Sequence, residues 1–378
     1  MVNLTIKDLT YHKGKFILIL LGMTMAIFLV QYSAGMWNGT LTKSSEVIDR
    51  FGYEAWIREE DSDMILGGGF VNESVYDQVK TMENIKETER LIFTGAEAEN
   101  EDYTLYCLIV GYELDSEKIE PWDVYEGTID DLEKENGVIL DDSFKKFFKG
   151  LKIGDKLRIG RIDMEVVGFC KNARFMSNPY AWMSIETAKK VALWAGNWCT
   201  TIGIDFKHGY SIDKFKDDIE ELVDQNIIEE VNVISTEELR DNTHSYIVNE
   251  AGMGGSVLIL VIMGYFVAMI IISVSTYQTI QEKIPEFGTL KALGAEKGYL
   301  NRMLLSQVFI YASLSFIFGT ILTYIISILA SPVSIVPVII HIPASIMLYG
   351  LTVLICIGCS LISTRKVHKI DPAIVFKG

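Results

Sequence analysis

The sequence predicts a membrane protein with four transmembrane α-helices and a large extracytoplasmic α+β domain inserted between helices 1 and 2. Three observations predict it. Residues 303–364 are 62 consecutive positions without Asp, Glu, Lys or Arg, and 251–281 and 16–37 add uncharged stretches of 31 and 22. A bilayer core takes about 20 apolar residues per helix, and a soluble domain has no reason to exclude charge over such lengths. The second observation is a break in the longest stretch, where Pro332, Pro337 and Pro343 divide it into two spans. The third is the distribution of charge. The 378 residues carry a net −16, but 38–250 hold 23 Lys+Arg against 45 Asp+Glu, a net of −22, which leaves +6 elsewhere.

That split sets the expected topology. All eleven basic residues outside 38–250 lie before the first span, between spans two and three, or after span four. Excess Lys and Arg mark the cytoplasmic side. Both termini are therefore expected in the cytoplasm, and the acidic region outside the cell (inner, cytoplasmic) membrane. The expected order begins with an amphipathic lead-in at 1–15, TM1 at 16–37 and the exported domain at 38–250. TM2 at 251–281 and a cytoplasmic loop at 282–302 follow. TM3 at 303–330, an extracytoplasmic turn at 331–343, TM4 at 344–364 and a basic tail at 365–378 complete it. A cleaved signal peptide competes for the first span, with Lys7, Lys13 and Lys15 as its basic region and Ser33-Ala34-Gly35 as its cleavage site. The apolar run past Val30 favours a retained anchor.

The exported region is long enough for its own core. Strand-type patterns fall at 89–96, 103–110, 137–140, 155–159, 164–169 and 200–206; helical patterns fall at 71–82, 141–148, 185–194 and 212–223. Ser235-Thr236-Glu237-Glu238 reads as a capping box opening a further helix toward TM2. Cys107, Cys170 and Cys199 allow at most one disulfide, so the domain is no disulfide scaffold. Cys356 and Cys359, a C-x-x-C inside an apolar span, read as small packing residues. Trp182, Trp194 and Trp198 read as packing rather than a ligand cage. The acidic excess is a solvated surface or a docking face for a basic partner.

Catalytic chemistry finds no footing. His12, His208, His244, His341 and His368 are scattered, without H-E-x-x-H, and Gly67-Gly68-Gly69 is a flexible loop with no Walker A sequence anywhere. No catalytic, cofactor-binding or metal-ligating residue is assigned, and the chain is expected not to be an enzyme. Apart from His341, the spans and the turn joining the last two hold no ionisable group. A proton- or ion-coupled pathway normally requires them, so energy is expected from another source.

The loop after TM2 carries the most specific residues. Phe287, Leu290 and Leu293 fall at i, i+3 and i+6, Glu286, Lys291 and Lys297 can face water, and Gly294 suits the end of a short helix. Composition alone makes this an ordinary interfacial helix. The run from Glu286 to Ala295, however, closely resembles the E-[IF]-G-x-L-[KR]-A-[IL]-G-[AM] signature of FtsX-like ABC transporter permeases of the MacB/LolC kind (type VII). Three other stretches agree. Leu4 to Leu9 with Gly14-Lys15 looks like the family's amphipathic lead-in helix. Gly137-Val138-Ile139-Leu140, Leu151 to Lys156 and Met164 to Phe169 look like its periplasmic core domain. Arg365 to Lys377 matches its basic R-x(5)-D-P-x(3)-[LF]-[KR] tail. The chain departs from the pattern at Pro285, where Arg is usual, and at Gln307, where an acidic residue often opens TM3. Without a fused nucleotide-binding domain it looks most like the stand-alone permeases, such as the DevC group.

The resemblance implies a permease subunit that couples ATP hydrolysis on a separate cytoplasmic ATPase to movement of its exported domain, called mechanotransmission. Glu286, Phe287, Gly288, Leu290, Lys291, Ala292, Leu293 and Gly294 are the implied ATPase-coupling residues. ATP and Mg would be bound by the ATPase and no cofactor by this chain. A second permease chain, identical or different, completes the implied assembly, with a membrane-fusion adaptor or an extracellular protein as further partners and no nucleic acid. The cargo class is a peptide, drug, lipid or lipoprotein. The alternatives are an FtsX-like scaffold that activates a cell-wall hydrolase and a non-transporting receptor.

Overall fold

Helix α1 (Lys13–Phe51) runs 39 residues, four turns beyond the end expected for TM1. Residues 39–51 are polar but place Val47, Ile48 and Phe51 on one side, so the helix continues wherever that side finds a core. The computed structural model describes residues 13–60, 62, 64, 69–192, 196–292, 297–330 and 338–367. Two units divide the chain: Met1–Gly39 with Met253–Gly378, and Thr40–Gly252.

The first unit contains α1 to Gly39, α7 (Met253–Ala292), α8 (Lys297–Ala330) and α9 (Ile342–Val367). Four described helices are long and apolar enough to cross a membrane. They pack through small residues, as helices do where lipid supplies no hydrophobic drive. At Gly264 of α7, an added Cβ would lie 2.6 Å from Val30 Cγ2 and 3.3 Å from the Ala26 carbonyl oxygen on α1. At Gly319 of α8 it would lie 3.0 Å from Ile27, and at Gly22 of α1 it would lie 3.2 Å from Ile271. Ile19, Met23, Ile272, Val308, Tyr311, Ala312 and Cys356 form one apolar cluster, and Val30, Tyr265 and Leu348 another. Two buried polar groups find partners across helices: Gln31 Nε2 donates to Thr320 Oγ1 at 3.1 Å and Tyr265 Oη to the Leu348 carbonyl at 3.2 Å. The outer end of α1's span is held by the Ile339 amide donating to the Gly35 carbonyl at 2.9 Å.

The second unit is an α+β domain. In chain order it comprises β1 (Ala55–Arg58), β2 (Val71–Asn72), α2 (Glu73–Thr81), β3 (Ile85–Glu99), β4 (Thr104–Tyr112) and β5 (Val124–Gly127). Next come β6 (Gly137–Asp141), α3 (Phe144–Phe147), β7 (Lys156–Ile159), β8 (Ile162–Cys170), β9 (Arg174–Phe175) and β10 (Asn178–Ser184). The last are α4 (Ile185–Val191), β11 (Trp198–Cys199), β12 (Thr201–Phe206), α5 (Ile212–Asp224), β13 (Asn232–Ser235) and α6 (Thr236–Ser245). Eleven described strands form one sheet in the order β13-β1-β12-β3-β4-β10-β6-β8-β5, with β7 bridging β3 and β8 and β9 on β10. Pairing is antiparallel except for β4 with β10 and β6 with β8.

Alternate residues of these strands enter two apolar cores. Ala55, Ile57, Ile92, Ala181 and Met183 join the core that includes Val75 and Val79 of α2, Ala188 of α4 and Phe215 of α5. Trp56, Leu91, Phe93, Tyr180 and Trp182 join the other, with Val47, Ile48 and Phe51 of α1 and Leu239 of α6. Both faces of the sheet are therefore covered, one by α2, α4 and α5, the other by α6 and the end of TM1's own helix.

Several expectations are corrected. The helix expected over 141–148 is a single turn, because the buried Asp141 carboxylate accepts from the Ser143 and Ala173 amides, each at 3.0 Å, and from Arg174 Nε at 2.9 Å. That fixes 141–143 as a turn. The helix over 71–82 starts at Glu73, since Val71 and Asn72 pair with Cys199 and Trp198. Strands β1, β5, β9, β10, β11 and β13 went unread. In β10, Pro179 sits at the strand's start, opposite Arg174, and leaves Tyr180–Ser184 free to pair with β4. The capping box holds, with Ser235 Oγ accepting from the Glu238 amide at 3.0 Å. Cys107, Cys170 and Cys199 are buried free thiols, and burial pushes the Cys107 and Cys199 thiols up to about 12. They are inert packing groups. Trp182 is core and Trp198 half-buried; Trp194 lies outside the described residues.

Phe51 joins α1 to the aromatic cluster of the exported core: its ring centroid lies 6.3 Å from that of Trp182 and 6.4 Å from that of Phe93. Arg50 adds a cation–π contact at 4.6 Å over Trp122. Phe51→Ala is expected to destabilise the exported unit by about 3–5 kcal/mol. Tryptophan fluorescence during thermal unfolding in detergent measures it, since Trp182 reports on the same cluster.

Candidate functional site

The signature run that begins at Glu286 and the helices beside it make up the candidate site. Helix α7 leaves the apolar span and continues to Ala292, so positions 286–292 extend TM2 instead of forming a separate short helix after 281. The loop expected at 282–302 is helical over 282–292 and 297–302. Glu, Lys, Leu and Ala are six of the eleven residues 282–292 and favour continuation once the helix is nucleated in the membrane. Pro285 removes one backbone donor, and the helix runs through it. Glu286, Phe287, Gly288, Leu290, Lys291 and Ala292 thus share one helical backbone with TM2. Leu293 and Gly294 lie outside the described residues, as do 1–12, 331–337 and 368–378, which hold most of the lead-in, turn and basic tail.

One turn before Glu286, Glu282 Oε2 accepts from Lys15 Nζ of α1 at 2.8 Å. Neither residue was singled out from sequence as a pair, because 267 positions separate them. Their signal was only that each is a charge beside an apolar run. Above this pair, the Gly22 and Gly264 contacts press α1 against α7 along the span.

At the exported end, α6 is fastened to the extension of α1. Arg240 pairs with Asp49, and His244 Nε2 donates to the Leu41 carbonyl at 3.1 Å. Trp56 Nε1 donates to Thr236 Oγ1 at 2.9 Å, which ties the start of α6 to β1. After α6 the chain makes one wide π-helical turn, Tyr246–Glu250, in which the Ala251 amide donates back to the Tyr246 carbonyl at 2.9 Å. Gly252 then takes a φ of +67°, and α7 begins at Met253. Glycine ends helices in this conformation because it carries no Cβ to clash. Sequence reading noted His244 without a role; its partner is a backbone carbonyl, which leaves no sequence signal.

Comparison with known proteins assigns both halves. Residues 258–372 match the FtsX-like permease C-terminal family, and residues 16–222 match the MacB-like periplasmic core domain. The chain belongs to the FtsX-like, MacB-type permeases. The putative hemin transport system permease protein HrtB of Staphylococcus haemolyticus is 20% identical over 375 residues, covering 98% of each chain. Among solved structures, the periplasmic region of MacB from Actinobacillus actinomycetemcomitans aligns at 12% identity over 51% of this chain and 92% of that one, with a TM-score of 0.39. The extracellular domain of YknZ, a noncanonic ABC-type transporter from Gram-positive bacteria, aligns at 15% identity over 48% and 99%, with a TM-score of 0.36.

As an FtsX-like permease this protein is a membrane subunit of an ABC transporter, and its family implies an ATPase on another subunit. The permease family also explains the architecture: a soluble domain inserted after the first of four spans, with the other three following it.

Proposed function

We propose that this permease converts ATP hydrolysis on a separate cytoplasmic ATPase into movement of its exported domain. The ATPase, with its ATP and Mg, seats on residues 286–294. Apolar positions 287, 290 and 293 supply the seat's affinity and Glu286 and Lys291 its rim. The observation that supports this best is the unbroken backbone of α7 from Met253 to Ala292. A seat built into the same helix as TM2 moves with it, whereas a seat on a flexible loop would dissipate the motion.

The charge split supports an orientation with both termini and the seat in the cytoplasm and the exported domain outside. Two permease chains with two ATPase copies complete the assembly. Apart from His341, the spans carry no ionisable residue to line a polar path, which favours an amphipathic cargo expelled or extracted at the outer face. A relative named for hemin transport adds a planar amphiphile to the peptide, drug, lipid and lipoprotein classes.

The test is affinity purification of the tagged full-length chain from its native membrane in mild detergent. An ABC ATPase should co-purify, and its hydrolysis rate should change when the permease is reconstituted with lipid. Recovery of the chain with no ATPase sinks the proposal and leaves the receptor. Recovery of a cell-wall hydrolase with the ATPase selects the FtsX-like scaffold instead of a transporter.

A further inference from the structure

The exported unit is acidic as a whole, but one stretch of it is not. Residues 38–250 sum to −22, whereas 141–174 hold nine Lys and Arg against five Asp and Glu, a net of +4. Part of that stretch gathers around two exposed aromatic rings, Tyr125 at 44% and Phe147 at 45% exposure. Lys171 Nζ lies 4.6 Å and Lys145 Nζ 5.2 Å from the Tyr125 ring centroid, and Lys145 Nζ lies 3.7 Å from that of Phe169. The single turn of α3 explains Phe147. Phe144 and Phe148 stack inside the core with centroids 6.1 Å apart, which turns Lys146 and Phe147 outward. Neighbouring carboxylates are largely taken: Glu126 pairs with Lys145 and Asp142 with Arg174, which leaves Asp123, whose carbonyl accepts from the Lys171 amide at 3.2 Å. Among the described residues, Lys146, Lys149 and Lys171 are exposed and make no ion pair.

A lone apolar residue on a surface means little. Two rings set among unpaired lysines are the chemistry of a bilayer–water interface, where rings enter the headgroup layer and ammonium groups meet phosphate. The chain itself keeps this surface near lipid. Lys43 Nζ donates to the Asn172 carbonyl at 3.1 Å, beside Lys171. Lys43 stands on α1, six residues or about 9 Å of continuous helix past Trp37, where the uncharged run ends. The Asp142 amide donates to the Cys170 carbonyl at 2.8 Å, which sets the start of α3 at the same end of β8.

We infer that Tyr125, Lys145, Lys146, Phe147, Lys149 and Lys171 form a docking surface for anionic phospholipid headgroups of the membrane that anchors the chain. The lysines recognise phosphate charge and the rings enter between headgroups. A second copy of this chain is the competing occupant, because its acidic surface is also complementary in charge. The membrane is favoured because exposed rings gain burial there and because α1 tethers the surface to it. This surface does not depend on the ATPase seat.

The experiment places the full chain in nanodiscs of phosphatidylcholine, with or without phosphatidylglycerol, each doped with a phospholipid bearing a photoactivatable diazirine in its headgroup. Lipid adducts are mapped by peptide mass spectrometry and normalised to those on the membrane helices. Adducts should concentrate on 124–127 and 141–174, stay low on the acidic α5, and rise about tenfold or more with phosphatidylglycerol. K146E/K149E/K171E should cut the yield about fivefold for each lysine reversed. Phe147→Ser should also lower it, while leaving its salt dependence unchanged, since that dependence belongs to the lysines. Detergent melting identifies any variant that fails to fold, and the lipid series on the unaltered chain then decides. Equal yields with and without phosphatidylglycerol, adducts no denser than on α5, or an undiminished yield in a folded triple variant overturns the inference. Lysine-to-carboxylate crosslinks between two chains at these positions, in place of lipid adducts, assign the surface to a second copy and overturn it as well.

Discussion

Phe287→Asp is expected to yield a chain that inserts in the membrane normally and carries no ATPase. Position 287 is on the helix that extends TM2, six residues past the end of the uncharged run, so the substitution spares the span itself. At the centre of an apolar seat, a carboxylate loses its hydration without gaining a partner. That costs several kcal/mol for an ionised group in a desolvated contact, enough to lower affinity by about a hundredfold or more. The measurement is the ATPase-to-permease ratio after one-step purification, with Lys291→Ala as a rim control expected to change it little. Retention of the ATPase by Phe287→Asp would place the seat elsewhere on the cytoplasmic face.

Gly264→Val should separate α1 from α7. The first atom added to Gly264 meets Val30 Cγ2 at 2.6 Å and the Ala26 carbonyl oxygen at 3.3 Å. The side chain of Val30 can rotate, but the Ala26 carbonyl is helix backbone, so accommodating a valine moves the helix. Overpacking of this kind costs about 1–3 kcal/mol, and in this position it parts α1 from α7. The melting temperature in detergent should fall, and ATPase stimulation by the reconstituted permease should fall with it. Gly350→Val is the matched control, since nothing lies within 4 Å of a Cβ built there. Equal effects of the two substitutions would show that glycine content, and not the contact with α1, matters.

How much of this was legible beforehand differs between the two units. The spans were read from charge alone, since a lipid environment constrains composition residue by residue. Strands with strict patterns, such as β3, β4 and β8, were found, whereas others, β1, β10 and β13 among them, were not. Those three are short or carry a proline, and each is defined by its neighbours: β10 lies between β4 and β6, and β1 between β13 and β12. Their pairing depends on partners 41 to 180 positions away in sequence, which no local window holds. The coupling signature was visible as a run of residue types, but its place on a helix continuous with TM2 was not. A stop after TM2 looked natural because the charges begin there.

By itself the sequence determined the membrane character, the four spans, the inserted exported domain and the signature that places the chain among FtsX-like permeases. These follow from composition and local order, which the solvent and the family motif impose directly. Only the tertiary structure decided that α1 extends to Phe51 and enters the exported core, that Gly252 interrupts the path to TM2, and that Lys15 meets Glu282. A helix continues or stops according to what its far turns find to pack against, and a salt bridge forms only where two helices have been brought together. Both are consequences of packing between distant segments, which no stretch of sequence contains.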